Sequence, residues 1–445
     1  RRVLFRSKDQ WNSLRQLIYE VIYTGLFSVH RRISDHKSAE RYGRKLLVLY
    51  SESGDLAMEG DVSMALAKIA ESQKRFTDAK KLYEKAIDRK RQTGEKLGEQ
   101  SACARFGAMF YKLGENLKAK EYIERALTIS TENGDRRGEA SCYQSLAALH
   151  QSLGECNKAK EYLHKALLIT TEISDRKEEA SCYGKLGYVC MSLGQYNKAE
   201  EYFQKALVIR TETGDRRGEI SCYINLGCVF MSVGQCDKAK EYLQRALVFN
   251  TEIGDRRGEA SCYGNLGYVF EFFGQYDKAK EYVQKALVIN TEIGDRGGEA
   301  SCYGNLGYVL RSLGQYDKAK EYLQKALLIR IEINDRRGEA ADNRNLGTVF
   351  LSLGQYEKAI EYLQTALVIS TEIGDREGEA AEYGSLGNVF ESLGQYDKAK
   401  EYLQKALVIS TEIGDRRGEA SCYTDLGDVF ECLGQRSEEH TSELQ

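Results

Sequence analysis

Asp255-Arg256-Arg257-Gly258-Glu259-Ala260-Ser261-Cys262-Tyr263-Gly264-Asn265-Leu266-Gly267-Tyr268-Val269-Phe270, continued through Gly274 and closed at Gly294, is the stretch whose reading decides the fold. Ala260, Tyr263, Leu266, Val269 and Phe270 recur at helical spacing and give 256–273 one apolar face. Gly274 ends that helix, because a glycine enters the left-handed conformation that closes the last carbonyls. Tyr276, Ala279, Tyr282, Val283, Ala286, Leu287 and Ile289 form a second stripe over 276–293. Gly294 ends the second helix, and Asp295 is placed to cap the next, its carboxylate accepting backbone N–H groups. Two such helices joined by a short turn lie antiparallel. Gly267 is expected to face Ala279 and Ala286, with Leu266, Phe270 and Leu287 filling the seam. A larger side chain at the glycine would overpack it at a cost of about 1–3 kcal/mol.

The same pattern returns every 40 residues. Gly-Asp stands at 134/135, 214/215, 254/255, 294/295, 374/375 and 414/415, and Leu-Gly recurs from Leu186-Gly187 to Leu426-Gly427. Self-similarity at a fixed period of this size marks a solenoid. The phase extends back through Gly94 and Gly54-Asp55, and more weakly through Tyr23, Leu26, Val29 and Ala39. The expected organisation is a degenerate first repeat over 8–53 and a tandem array over 54–435 whose last repeat is cut short. The fold class is all-α, an α-α superhelix of antiparallel helix pairs, right-handed.

Composition agrees. The 445 residues contain no proline, where roughly 22 would be usual at this length. That argues against a turn-rich β protein and against proline-rich disorder. A net charge of -3, from 64 basic and 67 acidic residues, argues against a basic nucleic-acid binder. The apolar segment Leu14–Val29 includes Arg15 and Glu20 and is shorter than a membrane span. It is read as the first helix of the degenerate repeat.

The order Tyr263, Leu266, Gly267, Phe270, Ala279, Val283, Ala286 resembles the tetratricopeptide repeat family. Thr291 stands where that family usually has proline, and the repeat is 40 residues long instead of 34. The long form with Gly-Asp-Arg-x-Gly-Glu-Ala between repeats is similar to LGN-type arrays. It is also similar to the long animal arrays of the tetratricopeptide repeat protein 28 kind, which a CHAT domain can follow. The resemblance implies a non-enzymatic scaffold that holds a peptide or helical segment of a partner in a concave groove lined by the first helices. An adaptor role in polarity or the cytoskeleton goes with it. The alternative it implies is the regulatory array of a larger enzyme, such as a CHAT-type protease, whose catalytic domain lies outside this chain.

The groove residues expected to meet the partner are Tyr188, Tyr268 and Tyr308, one turn from Asn225, Asn265, Asn305 and Asn345, with Arg344 and Asn388. Tyrosine offers contact area with a polar tip, and asparagine pairs with a peptide backbone. Gly264 and Gly304 leave room between them. The Lys/Asn/Arg set of carboxylate-clamp arrays is lacking, which disfavours a chaperone tail. No catalytic, cofactor-binding or metal-binding residues are expected. Cys142, Cys182, Cys222, Cys262, Cys302 and Cys422 share one column without Cys-x-x-Cys spacing, and Asp342 and Glu382 occupy it too. They read as small packing residues of a reducing compartment. His30, His36, His150 and His164 do not recur in phase, and the Gly-Asp turns lack calcium-loop spacing. A cytoplasmic monomer with a protein partner, and neither nucleic acid nor membrane, is expected.

The two ends read differently. Arg1 to Ser7 and Arg436 to Ser442 are the translations of AGATCGGAAGAGCACACGTCT in opposite directions, so 1–7 and 436–445 resemble sequencing adapter and are set aside. Arg436 stands where Tyr396 and Tyr356 open a second helix. The helix over about 416–433 is therefore expected to lack a partner, with Leu426, Val429 and Phe430 losing part of their cover.

Overall fold

A computed structural model describes the backbone of residues 8–32 and 35–443 and the side chains of 19–31 and 35–434. Residues 1–7, 444 and 445 lie outside the described residues, and of 436–443 only the backbone is described. Twenty-one α-helices and no strand are found among the described residues. The chain divides into two compact units, 1–195 and 196–445. The first holds α1 (Lys8–Arg32), α2 (His36–Ser53), α3 (Leu56–Ser72), α4 (Phe76–Gln92), α5 (Lys96–Lys112), α6 (Asn116–Glu132), α7 (Arg136–Ser152), α8 (Cys156–Glu172) and α9 (Arg176–Ser192). The second holds α10 (Tyr196–Glu212), α11 (Arg216–Ser232), α12 (Cys236–Glu252), α13 (Arg256–Phe272), α14 (Tyr276–Ile293), α15 (Arg296–Ser312) and α16 (Tyr316–Glu332). It continues with α17 (Arg336–Ser352), α18 (Tyr356–Ile373), α19 (Arg376–Ser392), α20 (Tyr396–Ile413) and α21 (Arg416–Glu443). Within each unit successive helices pack on one another, the two helices of a repeat most extensively, so each unit is an all-α solenoid.

The inter-repeat motif has a job for each residue. Gly294 turns the chain at φ 69° and Gly274 at φ 70°, a region other residues enter at a cost. Asp295 then caps α15, its Oδ1 accepting the Gly298 N–H at 3.0 Å. Arg296 clamps two helices, donating to Glu299 on its own helix and to Glu332 at the end of α16, both at 2.6 Å. Arg136, Arg256, Arg336 and Arg376 repeat the clamp. The arms to the second helix are exposed and each contributes little, while the glutamate on the same helix is largely buried. Gly298 leaves the space that the Asn290 side chain fills.

The seam of each pair departs from expectation in one respect. A Cβ on Gly267 would stand 2.6 Å from Val283 Cγ2 and 3.3 Å from the Ala279 carbonyl oxygen. Gly267 therefore faces Ala279 and Val283. Ala286, one turn further along α14, is buried with Cys302 and Leu306 of the following repeat. Leu266 and Phe270 are buried and Leu287 is half-buried.

At the C-terminal end α21 continues without a turn, because Gly434 is helical where Gly394 takes φ 68°. The expected loss of cover is large at Phe430, slight at Leu426, which opens to 7% where Leu386 is 0% exposed, and absent at Val429. Leu426 and Val429 stay buried against Phe390, Ala399 and Leu403 of the preceding helices, whereas Phe430 is 49% exposed.

Leu266→Ala is expected to cost about 2–5 kcal/mol, since a wholly buried leucine leaves a cavity. Coupling runs only between neighbours, so hydrogen exchange should accelerate first in 255–294 and the adjoining repeats. Uniform acceleration throughout the chain would contradict this.

Candidate functional site

In the second unit the first helices form a row of their own. α13 touches α15, α15 touches α17, α17 touches α19 and α19 touches α21, whereas the second helices make no comparable contact with one another. The side chains that α13, α15 and α17 turn along this row form the candidate site.

Tyr268, Asn305, Tyr308 and Asn345 line one cavity of about 610 Å³. Tyr268 is 49% and Tyr308 39% exposed. Arg344 lines a separate cavity of about 350 Å³, and Asn388 one of about 320 Å³. Asn265 is half-buried on α13. Tyr188 is exposed on α9 of the first unit. Asn225 departs from the expected exposure: it is 8% exposed, with Ile224 beside it where Gly264 and Gly304 leave space. A buried asparagine is a packing residue, not a surface one.

Sequence reading missed the residues below these. From α6 to α18 the last turns of the second helices carry a side chain that meets the cysteine column of the next repeat. Asn250 donates to Cys262 Sγ at 3.2 Å and Asn290 to Cys302 Sγ at 3.4 Å. Both thiols are buried in the stack, and burial pushes them up to about 11. One repeat later the neutral pair is replaced by Arg330 and Asp342, and after that by Ser370 and Glu382. Asp342 is 4% exposed, and burial raises its carboxyl to about 7 against the pull of Arg330. Glu382 is also raised by burial, although it accepts from Arg344 at 3.0 Å and from Ser370 Oγ at 3.2 Å. Arg344 is thus tied to an internal acid. Arg337 is tied likewise to Asp375 through two hydrogen bonds, at 2.7 and 2.9 Å.

Glu271, Asp342 and Arg330 also line the larger cavity. Burial raises Glu271 to about 7, with Arg311 opposing. Among the described residues no group of three or more His, Cys, Asp or Glu could hold a metal ion, and no helix is long and apolar enough to cross a membrane.

The signal that would have found the site lies in the array itself. Its repeats are nearly identical, and 341–344 reads Ala-Asp-Asn-Arg where 301–304 reads Ser-Cys-Tyr-Gly.

Asp342 also makes a prediction. Its folded-state pKa lies above the unfolded one, so its penalty is absent below about pH 4 and grows as pH rises through 7. Asp342→Cys, which restores the column residue, should raise stability at pH 8 by on the order of 1–4 kcal/mol and much less at pH 4.5. Denaturant melts at the two pH values check it, and an equal effect at both would contradict it.

The tetratricopeptide repeat profile matches residues 100–172, 178–249, 229–292, 258–332, 298–372, 337–409 and 379–441, and a second profile of the same description matches 61–93. No curated protein matches this chain. Among solved structures, a signal-transduction ATPase with numerous domains and a tetratricopeptide repeat sensor, from Pyrococcus horikoshii, is 18% identical with a TM-score of 0.51. The alignment covers 86% of this chain and 54% of that one, so this chain spans about half its length. BtubC from P. vanneervenii is 23% identical over 51% of this chain and 92% of its own, with a TM-score of 0.42. A Rap protein complexed with competence and sporulation factor is 16% identical over 95% and 99%, with a TM-score of 0.48. The ATPase likeness is one of fold. Helix pairs closed by glycine turns, with profile matches that span most of the sequence, show that the chain belongs to the tetratricopeptide repeat family.

Proposed function

We propose that this chain is a protein–protein interaction scaffold in which the row of first helices holds an extended or helical segment of a partner protein. The observation that carries the reading is the cavity between α13, α15 and α17. It combines exposed tyrosine rings with the Asn305 and Asn345 amides in one lining. Rigid aromatic rings supply contact area at small entropic cost, and amides satisfy the backbone of an extended guest. Gly264 has nothing within 4 Å of where its Cβ would stand, so a guest can approach the helix backbone there. This is a binding role, with no reaction assigned to any residue.

The test is a display library of random peptides selected on the whole chain. Selected peptides should lose at least about tenfold in affinity on Tyr268→Ala/Tyr308→Ala, in the range of aromatic anchors at interfaces. They should keep their affinity on Val288→Ser, which alters an exposed residue of α14. Failure to select any peptide, or equal binding to both variants, would overturn the reading.

A further inference from the structure

The larger cavity is not neutral. The Glu271 side chain makes no hydrogen bond or ion pair with any described residue, Arg311 acting on it only from a distance. Asp342, almost wholly buried, has an Oδ2 without a hydrogen-bond partner. Asp342 occupies space that exists because Gly304 has no side chain: a Cβ there would stand 3.2 Å from Asp342 Oδ1. A buried carboxylate oxygen without a donor is costly.

The nearest cation does not resolve it. Arg330 spends Nη1 on Asp335 at 2.5 Å and Nη2 on Ser301 Oγ at 2.9 Å. Its Nε remains 3.8 Å from Asp342 Oδ2, too far for a hydrogen bond, and is itself without a partner. Arg311 lies over the Tyr308 ring, 4.9 Å from its centroid. The Tyr268 ring, three residues from Glu271 on the same helix face, carries no cation among the described residues. One repeat earlier the equivalent buried pair is Asn290 and Cys302, neutral and hydrogen-bonded, so the unsatisfied charge belongs to this cavity alone among these neighbours.

We infer that this cavity is an anchoring pocket for a basic side chain, lysine or arginine, of an extended partner segment, held by Glu271 and Asp342 beside the Tyr268 ring. The inference rests on the scaffold reading above and names the chemistry of its partner. A guanidinium or ammonium supplies the missing donor to Asp342 Oδ2 and a counter-charge to Glu271, and its flat or compact head packs on an open aromatic face. A backbone carbonyl of the same segment is the acceptor that Arg330 Nε lacks. An acidic or apolar anchor would leave both carboxyls unpaired and is disfavoured.

The peptides selected on the whole chain test this directly. Those that depend on Tyr268 and Tyr308 should share an arginine or lysine. Replacing that arginine by citrulline, or that lysine by norleucine, should weaken binding at least about tenfold, the scale of a lost buried charge contact. Asp342→Asn and Glu271→Gln should each remove most of that discrimination between the charged and the neutral peptide. Melting curves of both variants establish that they are folded. Tyrosine-dependent peptides without a common basic residue, or with discrimination unchanged in both variants, would overturn this inference and leave the scaffold reading standing. An absence of tyrosine-dependent peptides would overturn both.

Discussion

The close approach of two helices at a glycine is the constraint on which the rest of this array depends. At Gly267, Gly307, Gly347 and Gly387 the first helix presents bare backbone to a branched side chain and to an alanine carbonyl of the second. Side chains from the second helix, Val283, Leu323, Leu363 and Leu403, lie where a Cβ would be. With that distance set, Tyr282 and Phe270 meet with ring centroids 5.0 Å apart, and Phe350 and Phe390 meet Tyr362 and Tyr402 at 5.2 Å. The seam is then full, and each repeat offers the next a surface of fixed shape. Glycine is a poor helix former, and its recurrence mid-helix reflects packing that outweighs propensity.

The turn chemistry adds the second constraint. An aspartate cap and an arginine clamp hold the first helix where the glycine turn delivers it. Local preference and tertiary contact point the same way, which is the condition for a sequence to specify one structure. The buried acids break that agreement. Asp342 and Glu382 sit in a column that six other repeats fill with cysteine, and a buried charge that is imperfectly paired lowers stability. The array serves as its own control, since the neighbouring repeats show that the fold does not require these charges.

Much of this was legible in the residues. Gly274, Gly294 and Asp295 mark ends and caps by conformational preference alone, and the spacing of Leu266 and Phe270 marks the buried face. Less legible was the side chain that fills the glycine notch, because Val283 and Ala286 share a helix face and a core with Cys302 and Leu306, and only Val283 also reaches Gly267. Arg330 and Asp342 stand twelve residues apart across a turn, and their pairing exists only once one repeat has stacked on the next. That Asp342 keeps an oxygen without a partner follows from where Arg330 spends its other donors, which no spacing rule encodes. Asn225 is more buried than its sequence column suggests, and Ile224 stands beside it where Gly264 and Gly304 precede Asn265 and Asn305.

The most direct test compares two glycines of α13, three residues apart. Gly264 has nothing within 4 Å of a built Cβ, whereas Gly267 meets Val283 Cγ2 at 2.6 Å. Helix propensity alone makes both alanine substitutions stabilising by up to about 1 kcal/mol. Denaturant unfolding of Gly264→Ala and Gly267→Ala should instead separate them: a gain for the first and a loss of about 1–3 kcal/mol for the second, through overpacking of the seam. Equal gains for the two variants would contradict the claim that glycine contact between paired helices holds this array together.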